Sequence, residues 1–182
     1  MSAPAPLERL RPFIRTRQIR EFTEVPPTEA ELEALSEVAR WSGSSRNSQP
    51  WRFIVIHDRE VLGRIHAAGL PQTRSLRTAP AAIAIVLSGE ADDIEHAYDE
   101  GRVAERLLVA ATSLGLGAGI AWIFPPVRPV VADALGLPAD HFVRTIVVIG
   151  HPSEAAQRPK SAPGSARLPA SETVFQERWP LT

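Results

Sequence analysis

The segment "PAAIAIVL", residues 80–87, decides the fold of this chain. It has the length of a strand, and after the proline every side chain is apolar. A strand with one face in water alternates apolar and polar residues, whereas an uninterrupted apolar run is typical of a strand that is covered on both faces. The sequence therefore predicts a layered fold in which other elements cover both faces of a sheet.

Predicted helices and strands alternate on either side of this segment. Thr28 and Glu31 have the spacing of a capping box, so a helix should begin there and end near Trp41. The other predicted elements are strands at 51–57, 120–124 and 143–150 and helices at 58–69, about 92–114 and about 127–135. Alternation of this kind is typical of α/β proteins, and taken alone it predicts a parallel sheet with helices on both faces.

Composition and charge exclude several classes of function. The chain has 182 residues, which fits a single domain with a sizeable core. Its formal net charge of −1 gives no field that would attract nucleic acid or an anionic membrane. The absence of cysteine excludes disulfides and thiol catalysis and suits a reducing cytoplasm. The N-terminal segment lacks a signal peptide's apolar stretch, and the longest apolar run, residues 79–87, is far short of the ~20 residues that span a bilayer. We therefore expect a cytoplasmic protein that binds neither nucleic acid nor membranes.

Two polar segments have a composition that a simple turn does not explain. The segment "SGSSRNSQPW", residues 42–51, is longer than most turns and supplies Ser, Asn and Gln side chains in series. The segment "RTRQIREF", residues 15–22, contains three arginines. Solvated surface charges would account for these arginines, and so would a phosphate site, because guanidinium groups bind phosphate in a bidentate manner.

Two further patterns are less specific. The glycine-rich run at 115–119 closes a predicted helix and opens a strand, which is the reverse of a dinucleotide-binding fingerprint. It is either a helix C-cap with tight backbone packing or a backbone platform for a ligand. Asp92, His96 and Glu100 share one face of the long predicted helix, where we favour a solvated acidic surface, since no second cluster supplies the rest of a metal site. We therefore predict no metal.

The segments "RTRQIREF", "ARWSGSSRNSQPWRFIVI" and "AATSLGLGAGIAWI", in this order, resemble the nitroreductase family of FMN-dependent oxidoreductases. The resemblance extends over essentially the whole chain. It implies an α+β fold rather than a parallel α/β one: a mixed sheet flanked by helices, built as an intertwined homodimer with two FMN sites at the interface. It also implies one nitroreductase-like domain over residues 1–182, in which residues 152–182 form a C-terminal arm that reaches the partner subunit. The Pro-, Ser- and Ala-rich composition of residues 152–171 predicts an extended arm rather than a helix.

The resemblance also assigns FMN-binding residues, motif by motif. Arg17, Gln18 and Arg20 match the first motif, although Thr16 and Gln18 stand where the family often has arginine and serine. The other matching residues are Ser44, Asn47 and Gln49 in the polar loop, Ala118, Gly119 and Ile120 in the glycine-rich segment, and Arg167 in "ARLP". Gly43 replaces the usual proline of the polar loop. By this resemblance Arg17 and Arg167 hold the phosphate, and Arg20 stabilises the anionic reduced flavin near N1 and the C2 carbonyl.

The activity that the resemblance implies is reduction of a small organic acceptor by NAD(P)H, through a ping-pong hydride-transfer mechanism. The acceptors of the family include nitroaromatics, quinones and enones. FMN carries the chemistry in such enzymes, so no side chain is assigned a catalytic role. Two other interpretations stay open: a flavin-storage or flavin-cleaving relative that does not turn over NAD(P)H, and an interaction dimer without a cofactor, which the departures at Thr16 and Gly43 would allow.

Overall fold

The computed structural model describes residues 5–91, 93–158, 161, 165 and 167–179. Its centre is a four-stranded sheet in the order β1-β2-β4-β3, in which every neighbouring pair is antiparallel. The strands are β1 (Trp51–Ile56), β2 (Ala81–Ser88), β3 (Gly117–Trp122) and β4 (His141–Gly150). β1 and β3 are therefore the two edges of the sheet.

Helices cover both faces of this sheet, α3 and α5 on one face and α4 and α6 on the other. The helices of the described residues are α1 (Pro6–Arg9), α2 (Arg11–Arg15), α3 (Glu29–Arg40), α4 (Arg59–Ala68), α5 (Ile94–Ser113), α6 (Arg128–Leu135), α7 (Glu154–Gln157) and α8 (Ala170–Thr173). Short 3-10 turns lie at Ser45–Asn47, Arg74–Arg77 and Pro125–Val127. Of the helices in the described ranges, none combines the length and the hydropathy of a membrane span.

The side chains of β2 alternate between two hydrophobic cores. Ile83 and Ile85 are fully buried in the core that α3 and α5 cover. Ala82 and Ala84 are fully buried in the core that α4 and α6 cover. The prediction of a strand covered on both faces is confirmed, and it explains why the sequence of this strand shows no alternation of apolar and polar residues.

The α+β class is confirmed, and the parallel α/β arrangement expected from alternation alone is wrong. In a parallel sheet a helix commonly joins two neighbouring strands as a crossover. Here α4 joins β1 to β2, which are antiparallel neighbours, and α5 joins β2 to β3, which β4 separates. The parallel component of the described sheet is a single bridge between Gln18 and Ala118.

The helix-start signals in the sequence are used as predicted. The hydroxyl of Thr28 accepts a hydrogen bond from the backbone N–H of Glu31 at 3.3 Å, and the Glu31 carboxylate accepts one from the backbone N–H of Thr28 at 2.7 Å. These bonds from Thr28 lower the pKa of Glu31. The carboxylate of Asp58 caps α4 by accepting from the backbone N–H of Glu60 at 2.8 Å, and Gly69 follows its last residue. Both helices therefore begin at the residues that the sequence indicates.

The prediction of a solvated acidic face on α5, made for Asp92, His96 and Glu100, is wrong at Glu100, and its neighbour Asp99 is buried as well. Asp99 and Glu100 are 2% and 4% exposed. The Glu100 carboxylate accepts a hydrogen bond from Nε of Arg144, on β4, at 2.6 Å. The Asp99 carboxylate accepts one from the backbone N–H of Ser45, in the polar loop, at 2.9 Å. Partners distant in sequence thus hold both carboxylates inside the protein, and Asp99 also pairs with Arg102 on the same helix at 3.3 Å. Asp92, the first member of that face, lies outside the described residues.

Helices α1, α2, α7 and α8 were not predicted, because each is only four or five residues long and shows no helical period. α7 and the first two residues of α8 lie within residues 152–171, so the prediction of an extended arm is wrong for these residues. The side chain of Ser153 caps α7 by accepting from the backbone N–H of Ala156 at 3.2 Å.

Candidate functional site

The first sequence motif lies along the outer edge of β3. The backbone N–H of Ile19 donates to the carbonyl of Ala118 at 2.8 Å. The side-chain carbonyl of Gln18 accepts a hydrogen bond from the backbone N–H of Ile120 at 3.2 Å and one from the guanidinium of Arg20 at 3.3 Å. Gln18 and Ile120 are 102 positions apart in sequence. The fold therefore brings together the first and third motifs of the predicted FMN site.

Gly119 allows this segment to lie directly against the strand. A Cβ atom added to Gly119 would lie 2.1 Å from the carbonyl oxygen of Ile19. The two backbones cannot separate without breaking the hydrogen bond between Ile19 and Ala118, so only glycine fits here. Tight backbone packing, one of the two explanations that the sequence left open, accounts for this glycine. Its contact with FMN stays a prediction.

Gly119→Ala should lower the free energy of unfolding by about 1–3 kcal/mol, the usual range for overpacking, because the methyl group collides with a backbone carbonyl. Gly63→Ala is the matched control. Gly63 lies within α4 and no atom lies within 4 Å of an added Cβ, so this change should raise stability by up to about 1 kcal/mol. Urea unfolding of both variants without ligand measures the two effects. A Gly119→Ala protein as stable as the parent would contradict the packing described above.

A cleft of two adjoining cavities runs beside these residues. The first has a volume of about 380 Å³, and its wall includes Gln18, Arg20, Gln72, Ile120 and Trp122. Ile120 and Trp122 give an apolar surface, and the indole of Trp122 is 47% exposed. The amide and guanidinium groups stand around it. An apolar wall with a few polar groups is typical of a site for a small organic ligand.

The second cavity has a volume of about 290 Å³ and shares Gln18, Arg20 and Arg74 with the first. Its wall also includes Arg77 and, from α7, Ala156. Three arginines therefore line this end of the cleft, and two of them also line the first cavity, which adds Ile120 and Trp122.

Sequence reasoning missed four residues of this cleft: Gln72, Arg74, Arg77 and Trp122. Three of them lie in "PQTRSLR", residues 71–77, which has neither helical nor strand periodicity. The feature of the sequence that could have indicated these residues is the pair of arginines three positions apart, in a short connection between two apolar elements. Trp122 was predicted only as part of a strand.

Neither of the two arginines predicted to hold the FMN phosphate is among the described residues that line the two cavities. The guanidinium of Arg17 donates to the carbonyl oxygens of Ala156, Gln157 and Arg158 at 2.9, 2.6 and 3.2 Å. These carbonyls belong to the end of α7, which a cation stabilises. Arg167 is exposed in the C-terminal segment. Phosphate binding by these two residues stays a prediction.

The polar loop is a compact turn with exposed amides. Asn47 and Gln49 have φ angles of 55° and 50°, in the left-handed region where Asn is enriched but most other residues are uncommon. The hydroxyl of Ser44 accepts a hydrogen bond from the backbone N–H of Gln49 at 2.9 Å. The backbone N–H of Ser45 donates to the buried carboxylate of Asp99 at 2.9 Å. These bonds hold the loop in a strained conformation, which is typical of segments that bind ligands.

The polar loop and the cleft lie at opposite edges of the sheet. The loop leads directly into β1, the first strand in the order, whereas Gln18 and Arg20 lie beside β3, the last. Neighbouring strands are about 4.8 Å apart, so three spacings separate the two edges by about 14 Å. A single chain thus brings together two of the three predicted motifs and leaves the polar loop at the far edge.

The carboxyl groups with lowered pKa values lie outside the cleft. Hydrogen bonds from Arg40 and Trp41 lower the pKa of Glu37 to about 2. A hydrogen bond with His141 lowers the pKa of Asp140. In the part of the chain that the structure describes, no three His, Asp or Glu side chains lie close enough to hold a metal ion. The polar side chains that line the cleft are mainly amides and guanidinium groups, which can bind a ligand through hydrogen bonds and positive charge.

Comparison with known proteins gives one family. The model of the Nitroreductase family matches residues 14–78 and 67–151. A protein of Archaeoglobus fulgidus named "Putative NADH dehydrogenase/NAD(P)H nitroreductase" is 28% identical over 154 residues, which are 81% of this chain and 87% of that protein. A protein of the same name from Methanothermobacter thermautotrophicus is 26% identical over 171 residues, which are 91% of this chain and 85% of that protein.

Solved structures share the fold. The FMN-dependent nitroreductase of Clostridium difficile superposes with a TM-score of 0.78 at 23% identity, over 92% of this chain and 98% of that chain. Nitroreductase A of Vibrio parahaemolyticus superposes with a TM-score of 0.76 at 23% identity, over 94% of this chain and 77% of that chain.

Proposed function

The chain belongs to the nitroreductase family, and from this membership we propose that it is an FMN-dependent oxidoreductase that uses NAD(P)H to reduce a small organic acceptor. Family membership supports the broader assignment as an oxidoreductase. The observation that carries the finer proposal is the division of the expected FMN-binding residues between the two edges of one sheet, with a cleft already formed at one of them.

The cleft beside β3 fits the flavin ring of FMN. The ring system is flat, with apolar faces and a polar edge of carbonyl acceptors and an N–H donor. Ile120 and Trp122 supply apolar surface, and Gln18 and Gln72 supply amides that both donate and accept. Arg20 lies in the same wall, where its positive charge would face the N1 and C2 carbonyl side of the ring. The residues present therefore match the chemistry of the ring.

The remaining contacts at this edge come from the backbone and from two arginines. The backbone of Ala118, Gly119 and Ile120 would lie along the ring. Arg17 and Arg167 would hold the phosphate, as the family resemblance implies. Arg17 would have to leave the three carbonyls at the end of α7 to do so.

The polar loop at the other edge would complete the site of a second copy of this chain. Ser44 would contact the ribityl chain, and Asn47 and Gln49 would match the polar atoms of the ring. In one chain the sheet, with helices on both faces and about 14 Å between its edges, lies between this loop and Arg20, so one flavin ring would not contact both edges of the same sheet. An intertwined homodimer, in which each FMN lies between the β3 edge of one subunit and the polar loop of its partner, removes this difficulty.

Exposed apolar side chains support such a dimer. A groove of about 760 Å³ along α5 is lined by Phe13 and Tyr98 among other residues, and these two side chains are 62% and 71% exposed. Val174 and Trp179, in the C-terminal segment, are also exposed. Apolar surface of this extent is typical of a protein interface. We propose that residues 152–182 act as the arm that reaches the partner subunit.

A bound FMN would supply the hydride-transfer chemistry between NAD(P)H and the acceptor. The proposed role of this protein's side chains is to bind FMN and to orient it. The guanidinium of Arg20, in the wall of the cleft, would stabilise negative charge on a bound reduced flavin. The ping-pong mechanism requires NAD(P)H and the acceptor to enter the same space in turn, and Trp122, in the wall of the cleft, is 47% exposed. We assign no side chain the role of acid or base.

The purified protein should be yellow, with flavin absorbance, and should oxidise NADPH or NADH when a quinone or a nitroarene is supplied. The first readout is the absorbance spectrum and the FMN content after dialysis. The second is anaerobic oxidation of the reduced nucleotide, with and without acceptor.

The two readouts separate the alternatives. A colourless protein that takes up no added FMN would indicate the interaction dimer without a cofactor. A yellow protein that leaves both nucleotides unoxidised would indicate the storage or flavin-cleaving relative. Either result would contradict the proposed activity.

A further inference from the structure

One side of α5 contacts the polar loop and the residue that ends α3. The side chains of this side follow one another at intervals of four, three and four positions, which aligns them along a helix. They are Glu95, Asp99, Arg102 and Arg106. Each of them contacts a residue within 41–46, in the reverse order along the chain. The helix therefore supports the whole segment that leads into the polar loop.

The contacts at the two ends of this series lie at the surface. The guanidinium of Arg106 donates to the carbonyl of Trp41 at 3.0 Å. The guanidinium of Arg46 donates to the carboxylate of Glu95 at 2.8 Å. Exposed contacts of this kind contribute little to stability. The residue that can hold the loop firmly is therefore the buried one, Asp99.

The carboxylate of Asp99 binds the backbone of the loop from inside the protein. The backbone N–H of Ser45 lies 3.2 and 2.9 Å from its two oxygens. Asp99 is 2% exposed, and the guanidinium of Arg102 donates to the same carboxylate at 3.3 Å. A hydrogen bond to an ionised acceptor is stronger than one between neutral groups, and burial from water strengthens it further.

Gly43 leaves room for this ion pair. A Cβ atom added to Gly43 would lie 2.4 Å from Nη2 of Arg102. The space that a side chain at position 43 would occupy is thus taken by the guanidinium that pairs with Asp99. The departure from proline at Gly43 therefore has a structural explanation that does not require the loss of a cofactor site.

The bond from Ser45 fixes the start of the strained part of the loop. Ser45 opens the 3-10 turn Ser45–Asn47, and Arg46, Asn47 and Gln49 have φ angles of 50°, 55° and 50°. Backbone in this region persists only where the surroundings determine it. The exposed amides of Asn47 and Gln49 contact each other at 3.4 Å, so their direction depends on the backbone that carries them.

We propose that Asp99 is a positioning residue, which holds the backbone of Ser45 so that the amides of Asn47 and Gln49 face the flavin ring. This inference rests on the proposed function, since it concerns the loop that would complete the FMN site. Asp99 is buried and acts through the loop. Without its carboxylate the loop would become ordered only on binding, and the entropy lost in ordering it would weaken FMN binding.

The first measurement is amide hydrogen exchange of the protein without ligand, followed by mass spectrometry. Asp99→Ala removes the acceptor, and Asp99→Asn keeps the volume and one acceptor oxygen. Glu100→Gln is the matched control, because this buried carboxylate on the same helix binds Arg144. Backbone amides of residues 45–49 should exchange about ten-fold or more faster in Asp99→Ala. The increase should be smaller in Asp99→Asn and absent in Glu100→Gln.

The second measurement is the dissociation constant of FMN for the same variants at one chain concentration. Asp99→Ala should weaken binding about ten-fold or more, Asp99→Asn less, and Glu100→Gln not at all. Asp99→Asn is also combined with Asn47→Gly. If Asp99 acts through this amide, the effect of Asp99→Asn should be clearly smaller in the Asn47→Gly protein than in the parent.

The two measurements separate positioning from a structural role. Unchanged exchange at residues 45–49 would overturn the proposal. Faster exchange with parental FMN affinity, or an equal effect of Asp99→Asn in both backgrounds, would also overturn it, because Asp99 would then stabilise the loop without presenting Asn47. If Asp99→Ala does not fold, the milder Asp99→Asn decides both comparisons. A parent protein that binds no FMN would contradict the proposed function, and exchange alone would then decide whether Asp99 holds the loop.

Discussion

Glu100→Ala should lower the free energy of unfolding by about 3–5 kcal/mol, the usual effect of removing one partner from a buried ion pair. The Glu100 carboxylate accepts from Nε of Arg144 at 2.6 Å, and the two side chains are 5% and 13% exposed. Without the carboxylate, the Arg144 guanidinium stays buried with the Ala91 carbonyl as its remaining hydrogen-bond partner among the described residues. The cost comes from this uncompensated charge.

Glu95→Ala on the same helix is the matched control. Glu95 pairs with Arg46 at 2.8 Å, but these side chains are 52% and 81% exposed, so the change should cost less than about 1 kcal/mol. Urea unfolding at one fixed chain concentration measures both variants, because the stability of the proposed dimer would depend on concentration.

A third protein tests the cause of the Glu100 effect. Replacing both members of the pair with apolar residues, as in Glu100→Leu with Arg144→Met, removes the buried charge together with its partner. This double variant should be more stable than Glu100→Ala. Equal losses for Glu100→Ala and Glu95→Ala would show that burial of the pair does not matter.

Local signals in the sequence were sufficient for most elements of the fold. The capping box at Thr28 and Glu31 and the cap at Asp58 are completed within one turn of helix, so nearby residues determine them. The apolar run at residues 80–87 likewise reports its own burial. The direction of strand pairing depends on which distant strands meet, and the alternation of elements along the chain does not contain that information.

The interior of α5 shows the same limit for single residues. The sequence predicts a solvated surface at Glu100, because charged residues are seldom buried without partners. Its partner, Arg144, lies 44 positions away. A rule that considers only neighbours on the helix cannot find it.

The sequence predicted some residues of the candidate site but not their arrangement. The family resemblance selected Gln18, Arg20 and Ile120, and the fold brings these together beside β3. It selected Asn47 as well, and the order of motifs along the chain gives no sign that this residue lies at the opposite edge of the sheet. Arg74 was missed because its short connection has no periodic pattern and belongs to none of the three matching motifs.

The central claim is that each FMN site is shared between two chains, and a pair of single variants prepares its test. Arg20→Ala removes a cation from the β3 edge, and Asn47→Gly removes an amide from the polar loop while tolerating the positive φ at that position. Each homodimer should bind FMN about ten-fold or more weakly than the parent, because a charge-assisted or buried hydrogen bond is lost at both of its sites.

The most direct measurement is FMN binding by the mixed dimer of these two variants, purified through a different tag on each chain. If the sites are shared, one site of the mixed dimer contains both substitutions and the other contains neither. Titration should then find about one FMN site of parental affinity per two chains, although neither variant has such a site by itself. A mixed dimer in which every site is as weak as in the single variants would place Arg20 and Asn47 at the same site of one chain and contradict the account.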